Sequence, residues 1–349
     1  MRTAYNAPMT TTWLTWRQSR RTLRHAFETA RGRRDTQETI VVSLERDGVV
    51  GLGEACPMRI YGHTLETIEA ALKQIALRIA WRDPFHIQHI LDDLLAEFDS
   101  QRAAVASVDM ALHDWIGKRL GISTMRWLGL DPARAPLTDL TIGIDDPQTI
   151  AAKVREADAF PVLKVKVGVP HELDILRTIR QVAPNKTLRV DANCGWSRED
   201  AESRLRAVAA FGIELVEQPV AADDHDTLRR LREMRIAPIV ADESCLRPAD
   251  VPRLAGVVDG INIKLNKCGG IREGRRMIDL ARLFGLKVMI GCTSESSLGV
   301  AAAAQFAPLA DWIDLDTHLL VTDDEFTGLG GQGGRLTIGA HPGLGIINR

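Results

Sequence analysis

The spacing of apolar residues changes at about residue 138 of the chain. Beyond that point, short apolar runs alternate with amphipathic stretches of helical periodicity. The runs are centred near residues 142, 164, 189, 216, 240, 262, 289 and 313. Eight strand–helix units of nearly equal length predict an α/β fold of the (β/α)₈ type, a modified TIM barrel, over residues 136–324.

The residues before the barrel follow a different pattern. Two apolar stretches, 39–44 and 49–54, flank the turn Asp47-Gly48 and predict a β-hairpin. Helical spacing then predicts three helices, over 64–80, 87–98 and 101–120. We therefore expect residues 1–135 to form an α+β capping domain.

The two ends of the chain carry weaker signals. The first residues contain arginines but no apolar core, so no secretory signal is predicted, and Met9 is an alternative start to Met1. The tail, 325–349, is rich in glycine, but no helical pattern follows the glycines, as a dinucleotide-binding loop would require. We expect this tail to pack back on the capping domain.

Composition narrows the class of function. The 349 residues carry a net charge of −2, which gives no reason to expect nucleic acid or an anionic membrane as a partner. No apolar run approaches the length that spans a membrane. Five cysteines without a CxxC pair indicate a reducing, cytoplasmic location.

Charged residues stand at the ends of the predicted barrel strands. Lys164 and Lys166 alternate with apolar residues, so both ammonium groups point to the same face and need anions opposite them. The next three strands each end in a carboxylate, namely Asp191, Glu217 and Asp242. A later strand ends in Lys264, and the last leads into Asp314 and Asp316. In a barrel these ends converge on one mouth, where catalysis takes place.

Three carboxylates on successive strands predict a Mg²⁺ site, with one ion per subunit. Zinc is not expected, because no histidine or cysteine is predicted among these strand ends. The second and sixth strands of an eight-stranded barrel are opposite, so Lys166 and Lys264 should face each other across the metal. One lysine could then remove an α-proton from a metal-bound carboxylate substrate while the other returns one, with Lys164 stabilising the enediolate. The plainer alternative is that Lys164 or Lys264 only balances the buried carboxylates.

These motifs, in this order, resemble the enolase superfamily, and within it the muconate-lactonising subgroup. The matching pieces are KVK (164–166), DAN (191–193), EQP (217–219), DES (242–244) and NIKLNKCGG (262–270). The resemblance covers nearly the whole chain and implies metal ligands at Asp191, Glu217 and Asp242, with Asn193 supporting them. It also implies an acid/base pair of Lys166 and Lys264. Lys264 is preferred to Lys267 because it ends the apolar strand.

The pair Asp314 and Asp316 is similar to one that holds the substrate's α-ammonium group in dipeptide epimerases. The resemblance therefore implies inversion of the C-terminal residue of a dipeptide, with L-Ala-D/L-Glu favoured and a place in murein peptide recycling. One alternative is an N-succinylamino acid racemase or o-succinylbenzoate synthase on the same scaffold. Another is a non-catalytic metal-dependent anion-binding barrel, and the two aspartates could instead cap a helix.

The resemblance also implies further substrate contacts. Arg34 matches an arginine that meets the glutamyl carboxylate in L-Ala-D/L-Glu epimerases, although Arg31 or Arg33 could take its place. The remaining expected contacts are Tyr61, Thr141 and Ser296. Large barrels of this kind often self-associate as homo-oligomers, but the sequence specifies no symmetry and no side-chain preference for the dipeptide.

Overall fold

The structure is a computed structural model that describes residues 11–30 and 32–349. The alternative starts Met1 and Met9, and the alternative substrate contact Arg31, lie outside the described residues. Within the described part, no helix combines the length and the apolar character that crossing a membrane requires.

The chain begins with a three-stranded antiparallel sheet. Its strands, in spatial order, are β1 (Trp13–Thr29), β2 (Gly32–Arg46) and β3 (Val49–Ala55). Asp47 and Gly48 both have positive φ angles, 52° and 73°, which suit the tight hairpin turn between β2 and β3. Alternation gives the sheet two faces, so that Ile40 packs against the helices while Val41 joins the core of the barrel.

Four helices follow the sheet. They are α1 (Leu65–Ile79), α2 (Ile87–Glu97), α3 (Arg102–Leu120) and α4 (Thr124–Trp127). The three helices expected from the sequence are thus present, with ends shifted by at most one residue. Helix α3 lies so close to β3 that a Cβ atom at Gly53 would be 1.9 Å from the carbonyl oxygen of Ser107. Only glycine permits this approach of backbone to backbone.

Eight parallel strands then form the barrel in sequence order. They are β4 (Leu140–Ile142), β5 (Val162–Lys166), β6 (Thr187–Asp191), β7 (Ile213–Glu217), β8 (Ile239–Ala241), β9 (Gly260–Ile263), β10 (Lys287–Gly291) and β11 (Trp312–Asp314). A parallel bridge between Thr138 and Ile313 joins the first strand region to the last and nearly closes the sheet. The predicted (β/α)₈-type fold with an N-terminal α+β unit is confirmed.

Helices alternate with these strands along the chain. They are α5 (Pro147–Glu156), α6 (Glu172–Val182), α7 (Ala201–Ala209), α8 (His225–Glu233), α9 (Val251–Leu254), α10 (Leu265–Cys268), α11 (Ile271–Leu283) and α12 (Ser297–Ala304). Their apolar faces, including Ile175, Leu205 and Leu228, pack in one continuous core with the strands.

The tail forms two short antiparallel pairs. β12 (Phe326–Thr327) pairs with β15 (Ile347–Asn348), and β13 (Leu329–Gly330) pairs with β14 (Thr337–Ile338). Glu325 accepts a hydrogen bond from Ser19 at 2.6 Å, and the Leu344 N–H donates to Asp114 at 2.8 Å. The tail thereby contacts β1 and α3, while the exact domain limits at 135 and 325 remain predictions.

Candidate active site

A cavity of about 710 Å³ lies between the carboxyl ends of the barrel strands and the N-terminal sheet. Its barrel wall contains charged and polar residues expected from the sequence: Thr141, Lys164, Lys166, Asn193, Asp242, Lys264, Asp314 and Asp316. Its other wall comes from β2 and the loop after β3 and includes Arg34 and Tyr61. The two expected groups of residues therefore share one cavity.

Strand β5 brings two ammonium groups to the bottom of this cavity. Lys164 is 1% exposed, and its Nζ lies 2.6 Å from a carboxylate oxygen of Glu217 and 2.6 Å from one of Asp314. Burial disfavours the charged form, but the carboxylates of Asp314, Glu217 and Asp191 outweigh burial and hold the pKa of Lys164 well above its usual range. Lys166 donates to Asp191 Oδ2 at 2.6 Å.

The carboxylates of β6 and β7 are neighbours because Asp191 and Glu217 are register partners in the parallel ladder. Both are fully buried. Burial alone would raise the pKa of Asp191, but the Lys166 and Lys164 ammonium groups outweigh it and hold that pKa well below its ordinary value. Burial and the Asp191 charge raise the pKa of Glu217 to about 7.

The third carboxylate, Asp242, follows β8 and binds both later lysines. Lys264 donates to its Oδ2 at 2.8 Å, and Lys267 pairs with its Oδ1. Lys267 also donates to the backbone oxygens of Asp242 at 2.6 Å and Asn262 at 3.0 Å, so its ammonium is fully engaged. Lys264 has fewer partners, because its next anion, Glu217, is 4.0 Å away. This difference favours Lys264 over Lys267 as the residue that moves a proton.

The two aspartates at the end of β11 have different surroundings. Asp314 accepts a hydrogen bond from Lys164, whereas Asp316 accepts one from the Thr141 backbone N–H at 2.6 Å. Burial and the nearby Asp314 raise the pKa of Asp316 to about 6. Asp316 precedes a short 3₁₀ turn but its side chain makes no capping hydrogen bond there. Helix capping does not account for this residue.

The sequence predicts no cysteine among the strand ends that form the site, and this prediction is wrong. Cys292 follows β10, and its sulfur lies with Asp314 and Asp316 in a group whose candidate ligand atoms are within 4.8 Å of one another. This is the one such group found among residues 11–30 and 32–349. Burial and the charges of Asp314 and Asp316 raise the pKa of the Cys292 thiol well above its usual value, so the thiol stays protonated. A protonated thiol is a poor ligand for a hard cation such as Mg²⁺.

The carboxylates of β6, β7 and β8 are the better metal site, although lysine ammonium groups lie between them in the structure. All three supply hard oxygen ligands, which Mg²⁺ prefers. Glu217 Oε2 is buried and already faces a cation, the Lys164 ammonium at 2.6 Å. Asp191, Glu217 and Asp242 therefore fit the metal, and the Asn193 N–H donates to Asp191 at 2.9 Å.

Ser296 needs a correction, because the structure does not place it at the cavity. Its hydroxyl is fully buried, donates to Glu54 Oε2 at 2.7 Å, and accepts from Leu298 N–H at the start of α12. The residues of the same loop that line the cavity are Thr293 and Ser294. An exposed loop serine and a buried capping serine have the same sequence signature.

Two further residues hold the carboxylates and were not expected from the sequence. Asn262 donates to Glu217 Oε1 at 2.6 Å, and the Gln218 side chain accepts from the backbone N–H of Asp242 at 2.9 Å. Asn262 could have been found, because alternation puts it on the same face as Lys264. Gln218 has a positive φ of 34°, which no sequence pattern indicates.

Both halves of the chain match models of known protein families. The "Enolase C-terminal domain-like" family model matches residues 148–347. The model of the "Mandelate racemase / muconate lactonizing enzyme, N-terminal domain" matches residues 11–129.

Individual relatives cover nearly the full length. The L-Ala-D/L-Glu epimerase of Bacteroides thetaiotaomicron is 39% identical over 93% of this chain and 85% of its own. The dipeptide epimerase of Enterococcus faecalis complexed with Mg and L-Leu-L-Tyr has a TM-score of 0.92 at 33% identity, covering 97% of this chain and 100% of its own. The substrate-liganded L-Ala-D/L-Glu epimerase of Bacillus subtilis has a TM-score of 0.92 at 31% identity, covering 97% and 99%.

Proposed function

The chain belongs to the mandelate racemase / muconate lactonizing enzyme family of enolase-like proteins, and on this premise we propose that it is a Mg²⁺-dependent dipeptide epimerase. The proposed reaction inverts the C-terminal residue of a dipeptide by a 1,1-proton transfer between two bases. L-Ala-D/L-Glu is the favoured substrate, in keeping with the Bacteroides and Bacillus relatives. A role in murein peptide recycling is part of the proposal.

The observation that carries this proposal is the pair of opposed lysines. Three strands separate β5 from β9 in the eight-stranded order, so Lys166 and Lys264 approach the cavity from opposite sides of the barrel. The carboxylates of Asp191, Glu217 and Asp242 end the three strands between them. A substrate bound over these carboxylates would present its two faces to the two lysines.

Mg²⁺ held by Asp191, Glu217 and Asp242 would neutralise the charge that develops on the substrate carboxylate when the α-proton leaves. One lysine, neutral at its Nζ, accepts that proton from one face of the α-carbon. The other lysine, as an ammonium, donates a proton to the opposite face. The electron pair of the broken C–H bond is delocalised into the substrate carboxylate and returns to form the new bond.

The charges around Lys264 explain how the base form becomes accessible. Burial alone would lower the pKa of Lys264, but Asp242 and Glu217 hold it well above its usual range. When the charge of these carboxylates is neutralised, burial prevails and favours loss of the proton. Lys164 is also paired with Asp314, which is not among the proposed metal ligands, so it stays an ammonium and stabilises negative charge in the substrate.

Asp316 supports a substrate with a free amino group. A carboxyl that is 1% exposed and has Thr141 N–H and Cys292 as neighbours is costly to ionise unless a cation binds to it. The α-ammonium group of a dipeptide supplies such a cation. N-succinylamino acids and the o-succinylbenzoate precursor have no ammonium at this position, so Asp316 favours dipeptides over these alternatives. The opposed lysines argue against a non-catalytic anion-binding barrel.

The test is proton NMR of L-Ala-L-Glu with the protein and Mg²⁺ in D₂O. The proposal expects the glutamyl α-proton signal to wash out while the signals of the diastereomer grow. A wild-type protein that leaves the α-proton of every dipeptide in a broad panel untouched would overturn the proposal. If the α-proton of N-succinylamino acids exchanges but that of dipeptides does not, the racemase alternative is supported instead.

A further inference from the structure

The N-terminal sheet brings a buried amide to the wall of the cavity. Gln37 lies on β2, lines the cavity and is 2% exposed. Neither its Oε1 nor its Nε2 has a hydrogen-bond partner among the residues that the structure describes. Buried amides are nearly always paired in native proteins, so an unpaired one that faces a cavity indicates a ligand that supplies the missing partner.

The neighbours of Gln37 on the same face are already paired. Arg21, its register partner on β1, donates to Glu54 Oε1 at 2.8 Å. Thr39, two residues further along β2, donates to the same oxygen at 2.7 Å. Glu54 accepts hydrogen bonds from both side chains, although Arg21 Nε has no partner among the described residues. Gln37, which lines the cavity, is the member of this row whose polar side-chain atoms all lack a partner.

Arg34 lines the same wall three residues earlier on β2. Its guanidinium lies over the Phe27 ring, 5.6 Å from the centroid, and no carboxylate in the described part of the chain pairs with it. Its neighbour Arg33, by contrast, is 3.4 Å from Glu28. The wall formed by β2 thus carries both a cation without an anion and an amide without a partner.

We infer that Gln37 is a specificity-determining residue that binds the side chain of the dipeptide's C-terminal residue. Its Nε2–H donates to an oxygen of a side-chain carboxylate or amide, and its Oε1 can accept from the substrate's own amide. The inference rests on the proposed function and refines it. Substrates ending in glutamate or glutamine are preferred to methionine, which has a similar length but offers no oxygen and leaves Gln37 unpaired.

The test compares L-Ala-L-Glu, L-Ala-L-Gln and L-Ala-L-Met in wild type, Gln37→Met and the control Gln74→Met, whose glutamine is exposed on α1. Gln37→Met keeps the length of the side chain and removes both polar atoms. We expect kcat/KM for L-Ala-L-Glu to fall about 10- to 100-fold, chiefly through KM, while that for L-Ala-L-Met is unchanged or rises. Gln74→Met should behave as wild type.

Thermal unfolding of the same variants separates specificity from structure. Because Gln37 has no partner within the described protein, Gln37→Met should not lower Tm, whereas a structural amide would lower it when removed. If this variant fails to fold, Gln37→Glu replaces it, since a carboxylate there should repel L-Ala-L-Glu more than L-Ala-L-Gln. An unchanged ratio of kcat/KM between the glutamyl and methionyl substrates in the folded variant would overturn the inference.

Calorimetric binding of the dipeptides distinguishes this inference from the proposed function. If wild type binds L-Ala-L-Glu without exchanging its α-proton, and Gln37→Met weakens that binding, the epimerase proposal fails and the role of Gln37 stands. If wild type turns over the dipeptides and the preference does not move, the inference alone fails. Absence of both binding and exchange contradicts both.

Discussion

Asp316 is a carboxyl whose ionisation depends on what lies opposite it. Its pKa of about 6 arises from burial and the nearby charge of Asp314, and the Thr141 N–H only partly offsets these effects. A bound α-ammonium group would favour the ionised form, so substrate binding and loss of the proton are coupled. The residue that we propose selects a dipeptide would thus make dipeptide binding sensitive to pH.

We predict that kcat/KM for L-Ala-L-Glu falls as the pH drops below about 6. The protonated form of Asp316 is neutral and cannot pair with the ammonium, so the fall between pH 7 and pH 5 should approach tenfold. Asp316→Asn should raise KM throughout and flatten this part of the profile. A profile in Asp316→Asn that still bends at the wild-type pH would assign the titration to another group.

At the scale of elements, the barrel strands determine which residues meet. The alternation of β5 puts Lys164 and Lys166 on one face, and the register of β6 with β7 brings Asp191 beside Glu217. Both facts follow from the sequence, because strand ends and alternation can be read from it. This is why the sequence alone predicts which charged residues meet at the mouth of the barrel.

Other parts of the site depend on contacts that alternation does not specify. The sequence predicts Ser296 at the cavity, but in the structure its hydroxyl donates a hydrogen bond to Glu54 of the N-terminal sheet. Gln37 was not expected there, because only the docking of β2 on the barrel shows which side of the sheet meets the cavity. The position of the Cys292 thiol beside Asp314 and Asp316 depends on how β10 pairs with β11, which alternation does not specify.

We predict different effects on Mg²⁺ binding for substitutions in the proposed ligand set, Asp191, Glu217 and Asp242, and for substitution of Asp314. Asp191→Asn and Asp242→Asn should weaken Mg²⁺ binding by at least about tenfold, because each removes a negatively charged oxygen ligand. Asp314→Asn should change it much less, because Asp314 is not among the three proposed oxygen ligands and its other neighbour Cys292 is a protonated thiol. Titration calorimetry with Mg²⁺ measures this directly, and a larger loss in Asp314→Asn than in Asp191→Asn would relocate the site.

At the scale of the whole molecule, Glu54 links the N-terminal sheet to the barrel through buried hydrogen bonds. This carboxylate on β3 is fully buried, pairs with Arg21, and accepts hydrogen bonds from the Ser296 hydroxyl at 2.7 Å and the Gly299 N–H at 3.0 Å. It therefore receives donors from the start of α12 as well as from its own sheet. The cavity between the two parts depends on this attachment.

We predict that Glu54→Gln lowers the free energy of unfolding by about 3–5 kcal/mol, because it leaves the buried Arg21 without its nearest anion. The next carboxylate, Glu325, lies 3.9 Å from Arg21. Glu97→Gln is the matched control, since it breaks a pair with Arg78 whose side chains are 60% and 43% exposed. That change should lower the free energy of unfolding very little, because solvent screens an exposed ion pair. If urea unfolding shows the same loss of unfolding free energy in Glu54→Gln and Glu97→Gln, the hydrogen bonds and ion pair of Glu54 contribute little to stability.

The most direct test of the two-base account is deuterium exchange by Lys166→Ala and Lys264→Ala with L-Ala-L-Glu and L-Ala-D-Glu in D₂O. Each variant keeps one lysine, which can reach only one face of the α-carbon. We predict that each exchanges the α-proton of one diastereomer without converting it, and that the two variants show opposite preferences. Exchange of the same diastereomer by both variants, or continued epimerisation by either, would contradict the assignment of the two lysines.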